Sequence, residues 1–376
     1  MIDLQHHTVR PRRATIAAIV TIAVSALAAC GGGDDASKSP SPQPSAIVST
    51  AAVTKTEIAS TPTSATVGTP PLTASTPAES SAAALCDLSI PDATPGAVAS
   101  PDLIEISGLA ASRAQDVLWA HNDSGDTARV FAVGLDGAAL DGAALGTYTL
   151  NGAEAIDWED MAVGPGPDAS ATYLYLGDIG DNAAARPQVV VYRVPEPEVS
   201  PAASSLTVDA DAIALIYPDG PHDAETLLVD PVTGDLFIVT KDITGGPSGL
   251  YRASAASLGA PPVTLERVAT LDFAALTPQQ TIPAGAPPLP SGLPKVPTGG
   301  DISPDGSRIA VRTYGTVWVW QRSSGSSVAD AFAAAPCEGP SALEPQGEAI
   351  AFLPDSAGYV TASEGANPPL HQFRPQ

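Results

Sequence analysis

From residue 85 onward the sequence predicts an all-β domain. Three observations carry that expectation: short alternating apolar runs cut by Gly, Pro, Asp and Asn, almost no helical periodicity, and a module that recurs five times. The modules open on Ser107-Gly108-Leu109-Ala110, Glu159-Asp160-Met161-Ala162, Glu225-Thr226-Leu227-Leu228, Gly300-Asp301-Ile302-Ser303 and Glu348-Ala349-Ile350-Ala351. A second apolar strand follows each opening, at 118–121, 173–176, 236–239, 309–312 and 359–362. A third strand carries an aromatic: Phe131, Tyr192, Tyr251, the pair Trp318 and Trp320, and Phe373. A fourth fits where space allows, as over 263–268. Repeated four-stranded modules of this kind are the blades of a β-propeller. Five blades are expected, or six if 86–104 or 206–217 hide another. The last module reaches Gln376 after its third strand, so a segment near 101–104 is expected to supply the fourth and close the ring.

Ahead of this domain the composition changes twice. Residues 1–29 carry Arg10, Arg12 and Arg13, then an apolar run from Ala14 to Ala29, the pattern of a secretory signal. The run is short for a membrane span of about 20 residues. It closes on Leu27-Ala28-Ala29-Cys30 followed by three glycines, which resembles the lipobox of bacterial lipoproteins. That resemblance implies cleavage before Cys30, acylation of its thiol, and a chain anchored by lipid to the outer side of the cytoplasmic membrane. An uncleaved anchor and a cleaved but unmodified Cys30 are the competing readings. Residues 30–84 are dominated by Ser, Thr, Pro and Ala and read as a disordered spacer, leaving 85–376 as the propeller. The Pro-rich stretch 277–297 reads as a long surface loop.

Of three cysteines, Cys30 is assigned to the lipid. Cys86 and Cys337 remain, and in an oxidising compartment they are most simply one disulfide. The formal charge is −24, and loss of the signal takes it to −26. A chain this acidic repels nucleic acid and anionic headgroups and accepts cations.

The repeat also places the polar residues. In each module the start of the first strand lies beside the end of the second. Ser107, Glu159 with Asp160, Glu225, Asp301 and Glu348 open the first strands. Asn122-Asp123, Gly177-Asp178, Thr240-Lys241, Thr313-Tyr314 and Ser363-Glu364 end the second ones. Carboxylates from at least four blades are therefore expected at one mouth of the central channel, where they bind a cation, pair with Lys241 and Arg312, or hold protons. Oxygen donors favour Ca²⁺, and with only His121, His222 and His371 beyond the signal no zinc cluster competes. Candidate ligands are Asn122, Asp123, Glu159, Asp160, Asp178, Asp181, Asn182, Glu225, Asp301 and Glu348. The run Gly177-Asp178-Ile179-Gly180-Asp181-Asn182 resembles a calcium loop without the EF-hand's spacing. His121 is the candidate catalytic histidine, and there is no Gly-x-Ser-x-Gly elbow.

A carboxylate opening the inner strand and a second strand ending in Gly-Asp or Asn-Asp resemble calcium-dependent secreted propellers of the phytase-like and gluconolactonase-like families. The Trp-Glu-Asp and Gly-Asp-Ile-Gly-Asp-Asn runs are similar to those of a group of secreted bacterial propeller lipoproteins. The gluconolactonase likeness implies a central divalent ion at Glu159, Asn122 and Asp178. Two functions follow as expectations. The first is recognition of a small molecule, glycan or protein at the cell wall by a lipid-anchored monomer. The second is a Ca²⁺-dependent hydrolase acting on an ester, lactone or phosphoester.

Overall fold

The computed structural model describes residues 85–98, 100–134, 144–200, 205–280 and 295–376. The expected signal, Cys30 and the spacer up to residue 84 lie outside them, as does most of the Pro-rich loop. No helix among the described residues is long and apolar enough to cross a membrane.

The protein is a five-bladed β-propeller. Strand β1 (Asp92–Ala97) belongs to the last blade. Blade 1 runs β2 (Ile106–Ala111), β3 (Val117–Asn122), β4 (Arg129–Gly134) and β5 (Ala144–Asn151) from axis to rim. Blade 2 begins with β6 (Trp158–Pro165), β7 (Thr172–Asp178) and β8 (Val189–Pro195). The chain then crosses back as β9 (Ser205–Asp209), parallel to β5, before β10 (Asp211–Ile216) completes blade 2. Blade 3 holds β11 (Ala224–Val229), β12 (Leu236–Thr240) and β13 (Ser248–Ala253). Short β14 (Val263–Thr264) then lies parallel to β10, and β15 (Glu266–Leu271) finishes blade 3. Blade 4 is β16 (Pro297–Ile302), β17 (Arg308–Thr313), β18 (Thr316–Gln321) and β19 (Cys337–Gly339), with the capped turn α1 (Val328–Phe332) before β19. Blade 5 is β20 (Gly347–Phe352), β21 (Tyr359–Ser363) and β22 (Pro369–Phe373), closed by β1.

Three expectations are refined. The segment 206–217 forms the two rim strands β9 and β10, so it hides no sixth blade. The run 263–268 is divided between blades 2 and 3 instead of forming one strand. The ring closes through Asp92–Ala97, not through 101–104. That strand contains Pro95-Gly96, which reads as a turn. At the rim, across a register shift between Ala93 and Gly96, a proline costs no ladder bond that matters.

All five inner strands are fully buried, whereas β5 alternates buried and exposed positions. Alternation with period two sends side chains to both faces of each blade. They form five apolar clusters, one per junction between blades. Trp119 and Tyr148 meet Trp158 and Met161 between blades 1 and 2, Tyr175 meets Leu227 and Tyr251 between 2 and 3, and Phe237 meets Trp318 and Trp320 between 3 and 4. Val319 meets Tyr359 and Phe373 between 4 and 5, and Ala351 meets Leu109 and Phe131 across the closure.

The inner strands turn one edge to the axis, where their backbone groups need partners. Side chains supply them. Asp160 of β6 accepts N–H bonds from Met161 (2.8 Å), from Leu227 of blade 3 (2.9 Å) and from Gly300 of blade 4 (3.1 Å). Asp301 accepts from Ile302 (2.8 Å) and from Phe352 of blade 5 (2.7 Å). Ser107 donates to the Glu159 carbonyl, and Thr298 to that of Gly347 at 2.9 Å.

Cys86 and Cys337 form the expected disulfide, joining the segment ahead of β1 to the rim strand of blade 4. Leu85 beside it is fully buried between blades 4 and 5. Replacing both cysteines by serine should lower stability by about 2–4 kcal/mol, read by urea unfolding. Asp160→Ala leaves three buried N–H groups of three blades unsatisfied. It should cost at least about 3 kcal/mol in the same assay, with Asp160→Asn intermediate.

Candidate metal centre at the mouth of the ring

Every inner strand carries a register shift near its start: between Ile106 and Gly108, Trp158 and Asp160, Ala224 and Thr226, Pro297 and Gly299, and Gly347 and Ala349. The extra residues are Ser107, Glu159, Glu225, Thr298 and Glu348. A bulge re-aims the side chain of its extra residue, and here the position recurs in all five blades. The second strands end at Asn122, Asp178, Thr240, Thr313 and Ser363 beside these bulges. The ladder then runs on by one bond into the mouth loops: Asp123 N–H to the Glu105 carbonyl (2.8 Å), Lys241 to Asp223 (2.8 Å) and Glu364 to Gln346 (3.0 Å).

Among the described residues, Asp123, Asp157 and Glu159 offer carboxylate oxygens that lie within 4.8 Å of one another. Burial pushes Asp157 up to about 6, helped by the charges of Asp123 and Asp223. It pushes Glu159 well above the usual carboxylate range, with Asp123 and Asp157 adding repulsion. Asp123 is raised for the same first reason. Across the mouth, burial and then the hydrogen bond to Glu364 take Glu348 up to about 9, and burial raises Glu364. Lys241 pairs with Glu225 and donates to the Tyr314 hydroxyl at 3.1 Å. The second oxygen of Glu225 is buried without a partner. The mouth thus has two halves: one balanced by direct pairing with Lys241 and by shared protons, and one of three carboxylates that Lys241 and Arg186 oppose only through space, without an ion pair among the described residues.

The candidate ligands separate accordingly. Asp123, Glu159, Glu225 and Glu348 come together. Asn122 does not join them, because its Oδ1 accepts from Ile104 and Glu105 (3.1 Å each) and its amide donates to Asp102 and Asp126. Asp160 and Asp301 are spent on the axial N–H groups. The bulge of blade 4 is Thr298, three residues before Asp301, so the acidic alignment is displaced there. Asn182 is exposed.

The Gly177–Asn182 run packs against the triad, and Asp178 keeps its Oδ2 buried without a partner. Asp178 Oδ1 accepts the Asp157 N–H (3.1 Å) and pairs with Arg186 (2.8 Å), while Gly180 N–H bonds the Asp157 carbonyl (3.1 Å). Asp181 accepts the Arg186 N–H (2.7 Å) and gives its own N–H to Asp223 (2.8 Å). A Cβ at Gly180 would displace the carboxylate ends of Glu159 and Asp157. Asp157 and Asp223 were absent from the candidate set. Their signal is an acid two residues before the bulge, in Asp157-Trp158-Glu159 and Asp223-Ala224-Glu225.

His121 is fully buried, with Nδ1 2.8 Å from the Asn122 carbonyl and its ring edge-on to Trp158. Burial lowers its pKa, so it stays neutral. Arg312 lies between blades 4 and 5, paired with Glu344 and bonded to the Ala349 carbonyl (2.8 Å), away from the mouth acids. A groove of about 1070 Å³ lies on the opposite face between blades 3 and 4. Its arginines are already paired, Arg322 with Asp230 and Arg252 with Asp235.

No known family model matches the chain, and no curated protein matches it. Solved structures resemble it weakly. A chain of "Kuenenia stuttgartiensis Hydrazine Synthase" aligns at 12% identity with a TM-score of 0.38, over 74% of this chain and 98% of that one. A chain from "Crystal Structure of Mitotic Checkpoint Complex" aligns at 14% and 0.31, over 71% of this chain and 61% of that one.

The raised carboxyls set a pH dependence. The free carboxyl of Glu348 titrates near 4.5 and the folded one at about 9, so the folded state holds the extra proton between those values. This contribution to stability is complete below about 4.5 and is lost as pH rises toward 9. Without added metal, the unfolding midpoint should fall from pH 5 to pH 8, and Glu348→Gln should flatten the slope. Gly180→Ala, which displaces both carboxylates, should weaken any cation binding at the triad, measured by calorimetric titration.

Proposed function

We propose that this chain is an exported lipoprotein held by acyl-Cys30, whose propeller binds Ca²⁺ at its mouth to recognise a ligand in the cell envelope. One observation carries the metal: three carboxylates, Asp123, Asp157 and Glu159, converge within 4.8 Å with no ion pair among the described residues, and Glu159 is buried. Hard oxygens of this kind suit Ca²⁺, which tolerates irregular coordination, better than a transition metal. Export is supported by the signal and lipobox residues and by the Cys86–Cys337 disulfide, a bond that persists in oxidising compartments.

Ca²⁺ should raise the thermal midpoint of the protein, by an amount worth about 2.7 kcal/mol at a hundredfold excess over Kd. Glu159→Gln and Asp123→Asn should remove that rise. A wild-type midpoint that does not move at millimolar Ca²⁺ defeats the proposal.

A second reading, hydrolysis of an ester, lactone or phosphoester, has one observation in its favour. Glu348 keeps its proton at neutral pH and is placed in the same mouth, as a general acid needs. Turnover that vanishes in Glu348→Gln while the Ca²⁺ response persists selects this reading.

A further inference from the structure

Seven large apolar side chains are exposed among the described residues, and their distribution is uneven. Ile104, Ile156, Ile243 and Leu343 all lie on mouth-face loops: before β2, before β6, after β12 and before β20. Leu145 and Leu206 are on rim strands, and only Val232 is on the opposite face. Single exposed leucines mean little. Four on the loops around one cluster of mouth carboxylates describe a face with apolar edges and an acidic centre.

Inside that face Glu225 is more than nine-tenths buried, and one of its oxygens has no partner. Its bulge position, shared with Glu159 and Glu348, turns it into the mouth. Lys241 already occupies the other oxygen. A buried carboxylate oxygen left open is costly, and a charged N–H donor from outside relieves it.

We propose that the mouth docks a protein segment that inserts a Lys or Arg side chain toward the open oxygen of Glu225, with apolar neighbours seated on Ile104, Ile156, Ile243 and Leu343. This rests on the reading of the mouth as a recognition site but not on the cation, which takes the Asp123 half. Charge complementarity chooses the partner. Nucleic acid and anionic lipid are repelled by the chain's net charge of −24, while a bare polyamine has nothing to place on the apolar loops.

The test is calorimetric titration of the full chain with acetyl-Leu-Lys-Leu-Lys-Leu-amide, beside counterparts carrying Glu for Lys or Ser for Leu. The Lys/Leu peptide should bind saturably. Its Kd should rise about tenfold in the Ile156→Ser/Ile243→Ser double variant, whose changed residues are exposed and leave the fold intact. The Glu and Ser counterparts should bind at least about tenfold more weakly. No saturation by about 5 mM, equal binding of the Ser counterpart, or indifference to the double variant overturns the proposal. The Ca²⁺-dependent rise in midpoint, measured on the same variant, should persist. If wild type lacks that rise yet binds the peptide, the cation reading falls and this one stands.

Discussion

The Asp160 carboxylate sits where three blades meet and accepts a backbone N–H from each. Inner strands of a propeller have one unpaired edge, and near the axis no further strand can reach it. A carboxylate is an economical answer because two oxygens serve three donors. Its burial pushes its pKa well above the ordinary range, and the three N–H bonds oppose that shift. With Asp301, Ser107 and Thr298 it stitches the inner edges together. The axis is thereby a structural seam, and chemistry is left to the mouth, where the bulges turn their side chains.

The bulge explains what the sequence showed and what it hid. Strand alternation, the aromatic third strands and the polar ends of the second strands all survive as local patterns. Hence the blades, and the second-strand ends at Asn122, Asp178, Thr240, Thr313 and Ser363, were legible. A bulge adds a residue and breaks the period of two, so the eye follows charge instead of register. In blade 4 that led to Asp301, although Thr298 holds the equivalent place. Asp178 and Asp181 have the composition of ligands, but whether an oxygen faces a metal or a backbone N–H depends on the fold of its loop. Asp157 was hidden for the opposite reason: its partners, Asp123 and Glu159, come from two blades.

Electrostatically the mouth is unfinished. Glu348 and Glu364 resolve their repulsion by retaining protons, and Glu225 resolves half of its own through Lys241. At Asp123, Asp157 and Glu159 the charges of Lys241 and Arg186 offset only part of it. A cation entering there would displace protons, which would couple its affinity to pH. Arg186 is held back on Asp178 and does not enter the triad. It also donates to the Gly180 carbonyl at 2.7 Å.

The disulfide changes how force passes through the domain. Asp92 at the start of β1 pairs with Phe373 near the chain's end, on the face away from the mouth. Tension on residues ahead of Cys86 reaches the fold through a covalent bond to Cys337 before it can load the β1–β22 ladder. Blade 4 bears the pull, and the strand that closes the ring is spared from peeling. A pull entering there therefore meets sulfur first, and the mouth of the ring need not feel it.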